Sequence, residues 1–382
     1  MKRKFNCNPI LTITGSDSVG GSGIQADIKT ISALGGYAAS AITAVTVQDT
    51  LGIQEVYDLP VEIIRQQIEA VMEDLSPKVI KIGMLRNKET MWSIAQLLDL
   101  YRPDHVILDP GIVSSHGDIL MERSLLTSLQ NMLFSRCSLV SLKCEAAAYM
   151  LERTIRTNEE MVVAAKEILS YRCQAVFLQG SYLGAGTRTD LLLFADRDEP
   201  LFFSSSGLID YNSHGAGGAL SSAIATFMAE GHDMKSAVTH AREYVNRLVV
   251  YSLDLKLGKG KPLLNHTKKN NVSSHVLDLY NRLMDEVTRH IRKKRDVLFY
   301  ADMLNITPRY LAEITMKVSG KSPKELISEH LVHELEIVLD SDNRNIQEIS
   351  YLFGFPSQAQ MAKFFKKMTG CTPSEYRRKK IQ

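Results

Sequence analysis

Nothing in this sequence marks it for an oxidising compartment. Its 382 residues hold five cysteines (Cys7, Cys137, Cys144, Cys173 and Cys371), scattered and without a Cys-x-x-Cys pair. Neither a disulfide framework nor a thiolate zinc site is expected, and no metal site is read from the sequence. Long apolar runs are missing too. No stretch approaches the roughly 20 residues of a membrane span, and the apolar run Ile10–Ile13 behind the basic start MKRKFN is too short for a secretory signal core. These absences lead to the expectation of a cytoplasmic protein with no membrane partner. Net charge is nearly absent as well, at +2 for the whole chain.

That small total hides an uneven distribution. Residues 1–255 carry 22 basic and 29 acidic side chains, whereas residues 256–382 carry 23 and 14. An acidic body with a basic tail points to a polyanion partner for the tail. Length suggests two or three domains, and an apolar content of 45% is ordinary for globular protein.

The acidic part alternates β-branched runs with amphipathic ones. Strands are expected at 11–14, 41–47, 78–83, 105–109, 137–142 and 174–180, with helical patterns such as IQADIKTISAL and VEIIRQQIEAVMEDL between them. That alternation predicts an α/β fold, with a mostly parallel sheet flanked by helices and ligands at the carboxyl ends of its strands. The domain is expected over 1–266, followed by a hydrophilic linker, 267–275. The region 276–382 is helical in period throughout, with no strand signal.

Two glycine-rich turns carry chemistry. TGSDSVGGSGIQADIK (14–29) reads as strand, turn and helix. In SHGAGGALSSAIA (213–225), Gly215, Ala216, Gly217 and Gly218 open an apolar helix whose free N–H groups would form an anion hole.

These segments, with AITAVTVQDTLGIQEVY, KIGML and LGKGKP, resemble the hydroxymethylpyrimidine/phosphomethylpyrimidine kinases of thiamine biosynthesis, members of the ribokinase superfamily. The resemblance covers about residues 8–266. It implies a ribokinase-like fold and a pyrimidine pocket formed by Gly15, Asp27, Gln48 and Met84. A Gln amide both donates and accepts, which suits a ring nitrogen beside an exocyclic amine. The chemistry side departs from the family. The last residue of its glycine motif, the general base, is here Gly218, which cannot accept a proton. The phosphate-site lysine is replaced by Gln179. In the metal-holding Thr-Pro-Asn-x-x-Glu segment, here VSLKCE, the Asn position is Leu142 and only Glu145 is kept. Phosphoryl transfer is positioning plus charge neutralisation, so no catalytic residue is assigned. ATP and Mg²⁺ are expected only if residual kinase activity exists.

The C-terminal region is similar to the AraC/XylS transcription regulators. PRYLAEITMKVSGKSP (308–323) and GFPSQAQMAKFFKKMTGCTPSEYRRK (354–379) match two helix-turn-helix units. Residues expected to face double-stranded promoter DNA are Thr307, Arg309, Glu313 and Lys317 in the first unit. In the second they are Ser357, Gln358, Gln360, Lys363, Lys366 and Lys367. Arg pairs with guanine and Gln with adenine; Lys317, Lys366 and Lys367, with Arg377 and Arg378, suit phosphates. Thr315 stands where an aromatic is usual, predicting looser packing there. Three readings stay open: a pyrimidine-sensing regulator with a degenerate kinase domain, a bifunctional active kinase and regulator, and a regulator sensing a B6 vitamer. A homodimer is expected from the resemblance.

Overall fold

A computed structural model describes residues 8–113, 119–180, 187–206, 214–252, 255, 257–266, 274–341 and 344–379. The chain divides into two compact units, one built from most of residues 1–268 and the other from 269–382.

The first unit is α/β. Its strands are β1 (Pro9–Asp17), β2 (Tyr37–Asp49), β3 (Gly52–Asp58), β4 (Val79–Ile82), β5 (His105–Leu108), β6 (Leu139–Lys143), β7 (Ala175–Gln179), β8 (Thr187–Phe194) and β9 (Leu201–Ser206). Its helices are α1 (Gly23–Ala33), α2 (Val61–Asp74), α3 (Lys88–Tyr101), α4 (Arg123–Leu133), α5 (Cys144–Met150), α6 (Asn158–Leu169), α7 (Ala216–Ala229) and α8 (Met234–Ser252). The nine strands form one sheet in the order β3-β2-β1-β4-β5-β6-β7-β8-β9. Pairs from β2 through β7 are parallel, while β3 and β8 join antiparallel to β2 and β7. All six expected strands are present; β3, β8 and β9 were not expected.

Side-chain alternation sorts each central strand between two cores. Leu11, Ile13, Ile80 and Ile82 face α2 to α6, while Ile10, Val79 and Ile107 face α7 and α8. α7 is nearly all small or apolar, so it fits closely over the sheet. Its first turn is thereby fixed at the carboxyl ends of β1, β4 and β5. Cys137, Cys144 and Cys173 are buried free thiols of this unit.

The second unit is helical: α9 (Ser274–His290), α10 (Val297–Met303), α11 (Pro308–Ser319), α12 (Pro323–Ser341), α13 (Ile346–Leu352), α14 (Gln358–Thr369) and α15 (Pro373–Lys379). α9 begins at Ser274, inside the stretch expected as linker; residues 267–273 lie outside the described residues. α12 packs against α9, α11, α14 and α15 and so joins the two helix-turn-helix pairs, α10–α11 and α13–α14. Leu304, Leu311, Ile314, Leu331, Leu335, Ile349, Phe353, Met361 and Phe365 are buried in its interior. Thr315 is fully buried and its hydroxyl donates to the Ala312 carbonyl, so the position is polar but satisfied. Cys371 is a half-buried free thiol here. Among the described residues no helix is long and apolar enough to cross a membrane.

Candidate functional site

The strand ends of the first unit converge on a cavity of about 160 Å³. Gly15, Ser16 and Asp17 come from the end of β1, Thr46 and Gln48 from β2, Gly83 and Met84 from behind β4. Asp109 follows β5 and Lys143 ends β6. His214 and Gly215–Gly218 close it from the start of α7. Glycine is required where backbones meet. Gly215 has φ of +86°, and a Cβ there would fall 1.7 Å from the Gly21 carbonyl oxygen, so the two glycine-rich turns touch. A Cβ on Gly15 would lie 2.6 Å from Met84 Cε, which the bare backbone lets into the cavity wall.

One end of the cavity is a hydrogen-bonded network. Asp17 accepts from the N–H groups of Val19, Gly21 and Ser22 at 2.9, 3.1 and 2.8 Å. Its Oδ2 lies 2.9 Å from His214 Nε2. Burial pushes the Asp17 carboxyl up, but the His214 and Ser22 hydrogen bonds and the backbone donors outweigh it, holding the carboxyl at about 2. Asp17 is therefore ionised and His214 Nε2 must carry the proton it takes. Gln48 approaches the same nitrogen at 3.0 Å, and its other amide atom faces Thr46 Oγ1 at 3.1 Å. Thr46 spends its own proton on the Ser16 carbonyl at 3.0 Å. The consistent arrangement has the Gln48 carbonyl toward His214 and the amide N–H toward Thr46. One N–H and one lone pair of Gln48 then remain for a ligand.

Asp27 is placed differently from expectation. It has no exposed surface and is not among the cavity-lining residues. Its carboxylate accepts from Thr12 Oγ1, from Lys81 Nζ at 2.8 Å and from Ser222 Oγ at 2.7 Å. It neutralises Lys81, which does line the cavity. Its role is thus beneath the site, not in it: removing one partner of such a buried pair costs about 3–5 kcal/mol.

At the start of α7 the cavity is lined by Gly217 and Gly218. Gly218 offers only backbone. A Cβ there would meet nothing nearer than Asp27 Oδ1 at 3.7 Å, so the space for a side chain exists and is unused. Leu142 is buried in the apolar core beneath α2 to α6, and Glu145 is exposed. Gln179 is buried, donating to Ser141 Oγ at 3.0 Å. The loop lysine position missing from SSHGD falls at 114–118, outside the described residues.

Sequence reasoning missed Asp17, Lys81, Asp109, Lys143 and His214. Asp17 and His214 each stand beside a glycine turn that was read for its glycines alone. Lys143 sits in VSLKCE, which was read for what it had lost.

On the second unit, Thr307 and Ser357 cap the two reading helices by accepting from Tyr310 N–H at 3.2 Å and Gln360 N–H at 3.3 Å. Arg309, Glu313 and Lys317 are exposed on α11, and Gln358, Gln360, Lys363, Lys366 and Lys367 on α14. Ser357 is half-buried. Arg377 differs from its expected phosphate role. Its guanidinium donates to the Leu339 and Arg344 carbonyls at 3.2 and 2.8 Å, tying α15 to the end of α12. The side chain of Arg378 lies outside the described residues.

Comparison with known proteins agrees with this division. The phosphomethylpyrimidine kinase family matches residues 17–263, and a helix-turn-helix domain family matches residues 300–379. The hydroxymethylpyrimidine/phosphomethylpyrimidine kinase of Rhizobium meliloti is 37% identical over 257 residues, 67% of this chain and 96% of its own. The thiamine biosynthesis bifunctional protein ThiED of Geobacter sulfurreducens is 36% identical over 264 residues, 69% of this chain and 53% of its own, so the chain spans about half of that relative. A crystal structure of phosphomethylpyrimidine kinase from Clostridium difficile, 34% identical, superposes with a TM-score of 0.55 over 62% of this chain and 97% of its own.

Proposed function

Because the chain belongs to the phosphomethylpyrimidine kinase family and carries an AraC-type helix-turn-helix domain, we propose that it is a transcription regulator sensing a thiamine-precursor pyrimidine. Its kinase-like domain binds hydroxymethylpyrimidine or its phosphate with little turnover, and its helical domain reads promoter DNA. The observation that carries this reading is the asymmetry of the cavity. Gln48, Asp17, His214 and Thr46 form a complete hydrogen-bonded wall, while the position facing it at the start of α7 is Gly218, with open space where a base would stand. A positioned base is worth roughly 10²- to 10⁴-fold in rate. The protein is taken to act as a homodimer. A B6 vitamer is disfavoured by the paired donor and acceptor left on Gln48.

Calorimetry with hydroxymethylpyrimidine, its phosphate and pyridoxal, alongside turnover with MgATP, tests this. Aminopyrimidine binding is expected, with turnover roughly 10²- to 10⁴-fold below that of an ordinary family kinase. Gln48→Ala should weaken ligand binding by about 1–3 kcal/mol and leave DNA binding of the ligand-free protein unchanged. The second reading, an active kinase, is favoured by relatives that bear kinase names at 32–37% identity. Turnover matching theirs would establish it in place of the first.

A further inference from the structure

Five of the seven residues 289–295 are Arg or Lys, at the end of α9 and in the turn that leads into α10. A basic run is usually a solvated surface, but the backbone of this one is held in place. Ile291 is fully buried. The Lys293 and Lys294 N–H groups donate to the His290 carbonyl at 2.9 and 2.8 Å, and the buried Tyr300 hydroxyl donates to the Lys294 carbonyl at 2.7 Å. The turn is also fastened to the second helix-turn-helix pair. Arg295 donates to the Phe353 carbonyl and lays its guanidinium over the Phe355 ring, 3.9 Å from the centroid. A Cβ on Gly354 would fall 2.9 Å from the Arg292 carbonyl oxygen. Gly354 precedes α14, so one short segment enters the first helix of one pair and rests on the turn of the other.

The charges of the segment divide into two kinds. Arg289 pairs with Glu286 at 2.6 Å, Arg292 meets Glu334 at 3.5 Å, and Arg295 is spent on Phe353. The nearby acids are engaged as well. Glu286 also meets His290 at 3.2 Å, and Asp296 caps α10 by accepting from the Leu298 N–H at 3.1 Å. Lys293 and Lys294 are exposed, and among the described residues neither takes part in an ion pair. Lys294 faces the Phe299 ring, 5.6 Å from its centroid. Two adjacent cations, fixed in place without a counter-charge, suit a polyanion. In a helix-turn-helix pair the first helix crosses the DNA backbone and the second enters the major groove. Two pairs joined by one helix read successive major-groove faces roughly 34 Å apart, and the phosphate strands pass between them.

We infer that Lys293 and Lys294 form a clamp for the phosphate backbone of duplex DNA, seated on the strands that run between the two major-groove segments. The clamp rests on the DNA-reading half of the function proposed above and not on its pyrimidine half. It lies outside the exposed faces of α11 and α14 and reads no bases. Because its backbone is tied to both pairs, it sets their register on the duplex without specifying sequence.

The test uses the full-length protein and a duplex that the wild type selects from a random-sequence pool. Replacing both lysines, Lys293→Ala with Lys294→Ala, should lower the slope of log affinity against log salt by roughly 2. It should also weaken binding to every sequence roughly tenfold or more at about 0.1 M salt, with base preference unmoved. Lys293→Arg with Lys294→Arg should keep the slope. Neutral methylphosphonate linkages placed between the two major-groove segments should weaken the wild type and leave the alanine variant unaffected, which locates the contact. An unchanged slope in the alanine variant overturns the clamp. So does a lowered slope with a methylphosphonate map identical to that of the wild type, because the lysines then act only through the general field. Should the alanine variant fail to fold in a thermal melt, Lys293→Gln with Lys294→Gln decides by the same two readouts. A wild type that retains no duplex overturns the clamp together with the DNA-reading function; a wild type that binds beside an unaffected variant overturns the clamp alone.

Discussion

In the first helix-turn-helix unit the left-handed turn residue is Asn305, with φ of 54°, whereas in the second it is Gly354, with φ of 63°. Both helices that follow are capped by a hydroxyl side chain, Thr307 or Ser357, and both end on a left-handed glycine, Gly320 or Gly370. The backbones therefore follow one plan. The exposed surfaces do not. α11 carries Arg309, Lys317 and an acid, Glu313, which lies 3.5 Å from Arg309. α14 carries Lys363, Lys366 and Lys367 and no acid. An Arg held beside a carboxylate makes few indiscriminate phosphate contacts, because approach to DNA sets Glu313 against the backbone charge. Three unopposed lysines attract any duplex. The difference assigns discrimination mainly to the first reading helix and anchoring mainly to the second.

The largest effect expected concerns what the two units share. His330 on α12 is fully buried, its Nε2 is 3.2 Å from Thr288 Oγ1, and burial, with the charge of His333 adding, lowers it to about 4. A base depressed in the folded state stabilises the fold fully above its unfolded value of about 6.5 and loses that contribution as pH falls toward 4. The span corresponds to about 3 kcal/mol. Urea unfolding of the segment 274–382, followed by circular dichroism at pH 7 and pH 5, should show about 2 kcal/mol of this loss, and His330→Gln should flatten it. Because α12 packs against both helix-turn-helix pairs, a single transition is expected; two separate transitions would show that the pairs do not share a core.

Next come the base contacts. Arg309→Ala and Gln360→Ala should each cost about 1–3 kcal/mol at particular base pairs, leaving affinity for random duplex nearly unchanged. A uniform loss across sequences would move that residue into the anchoring class.

Smallest at any one operator, but broadest, is the effect of Lys366 and Lys367. Replacing both with Ala should weaken binding to every sequence and lower the slope of log affinity against log salt by roughly 2. Titrations across salt concentration measure it directly. An unchanged slope would break the contrast between α11 and α14.

The sequence showed the parallel centre of the sheet because β1, β4, β5, β6 and β7 are largely buried on both faces and read as short, mostly apolar and β-branched runs. It hid β3, whose residues GIQEVYD are half-buried or exposed, so solvent rather than the core sets their composition. The caps and turns of the second unit were legible because Thr307, Pro308 and Gly354 each act through their own backbone. The site was legible only in part. Gln48 and Met84 line the cavity as expected, but Asp27 is drawn beneath it by Lys81, 54 residues away. His214 meets Asp17 across 197 residues of chain. Such pairings depend on which strands are neighbours, and local pattern carries no record of strand order.

The thiols have a practical consequence. Cys137 and Cys173 are buried with their thiols pushed far up, the latter to about 12, and Cys144 is buried as well. Cys371 is the partly accessible thiol among the described residues, and it follows Gly370 at the end of α14. The thiolate is the reacting species, so with Cys7 replaced by serine a maleimide dye should attach to Cys371 alone. The molecule thereby offers a built-in attachment point for a fluorophore next to the helix that bears the lysines. Its polarity-sensitive emission would register docking on DNA without a tag, and its change on adding a pyrimidine would reveal whether a ligand filling the cavity is felt at the end of α14.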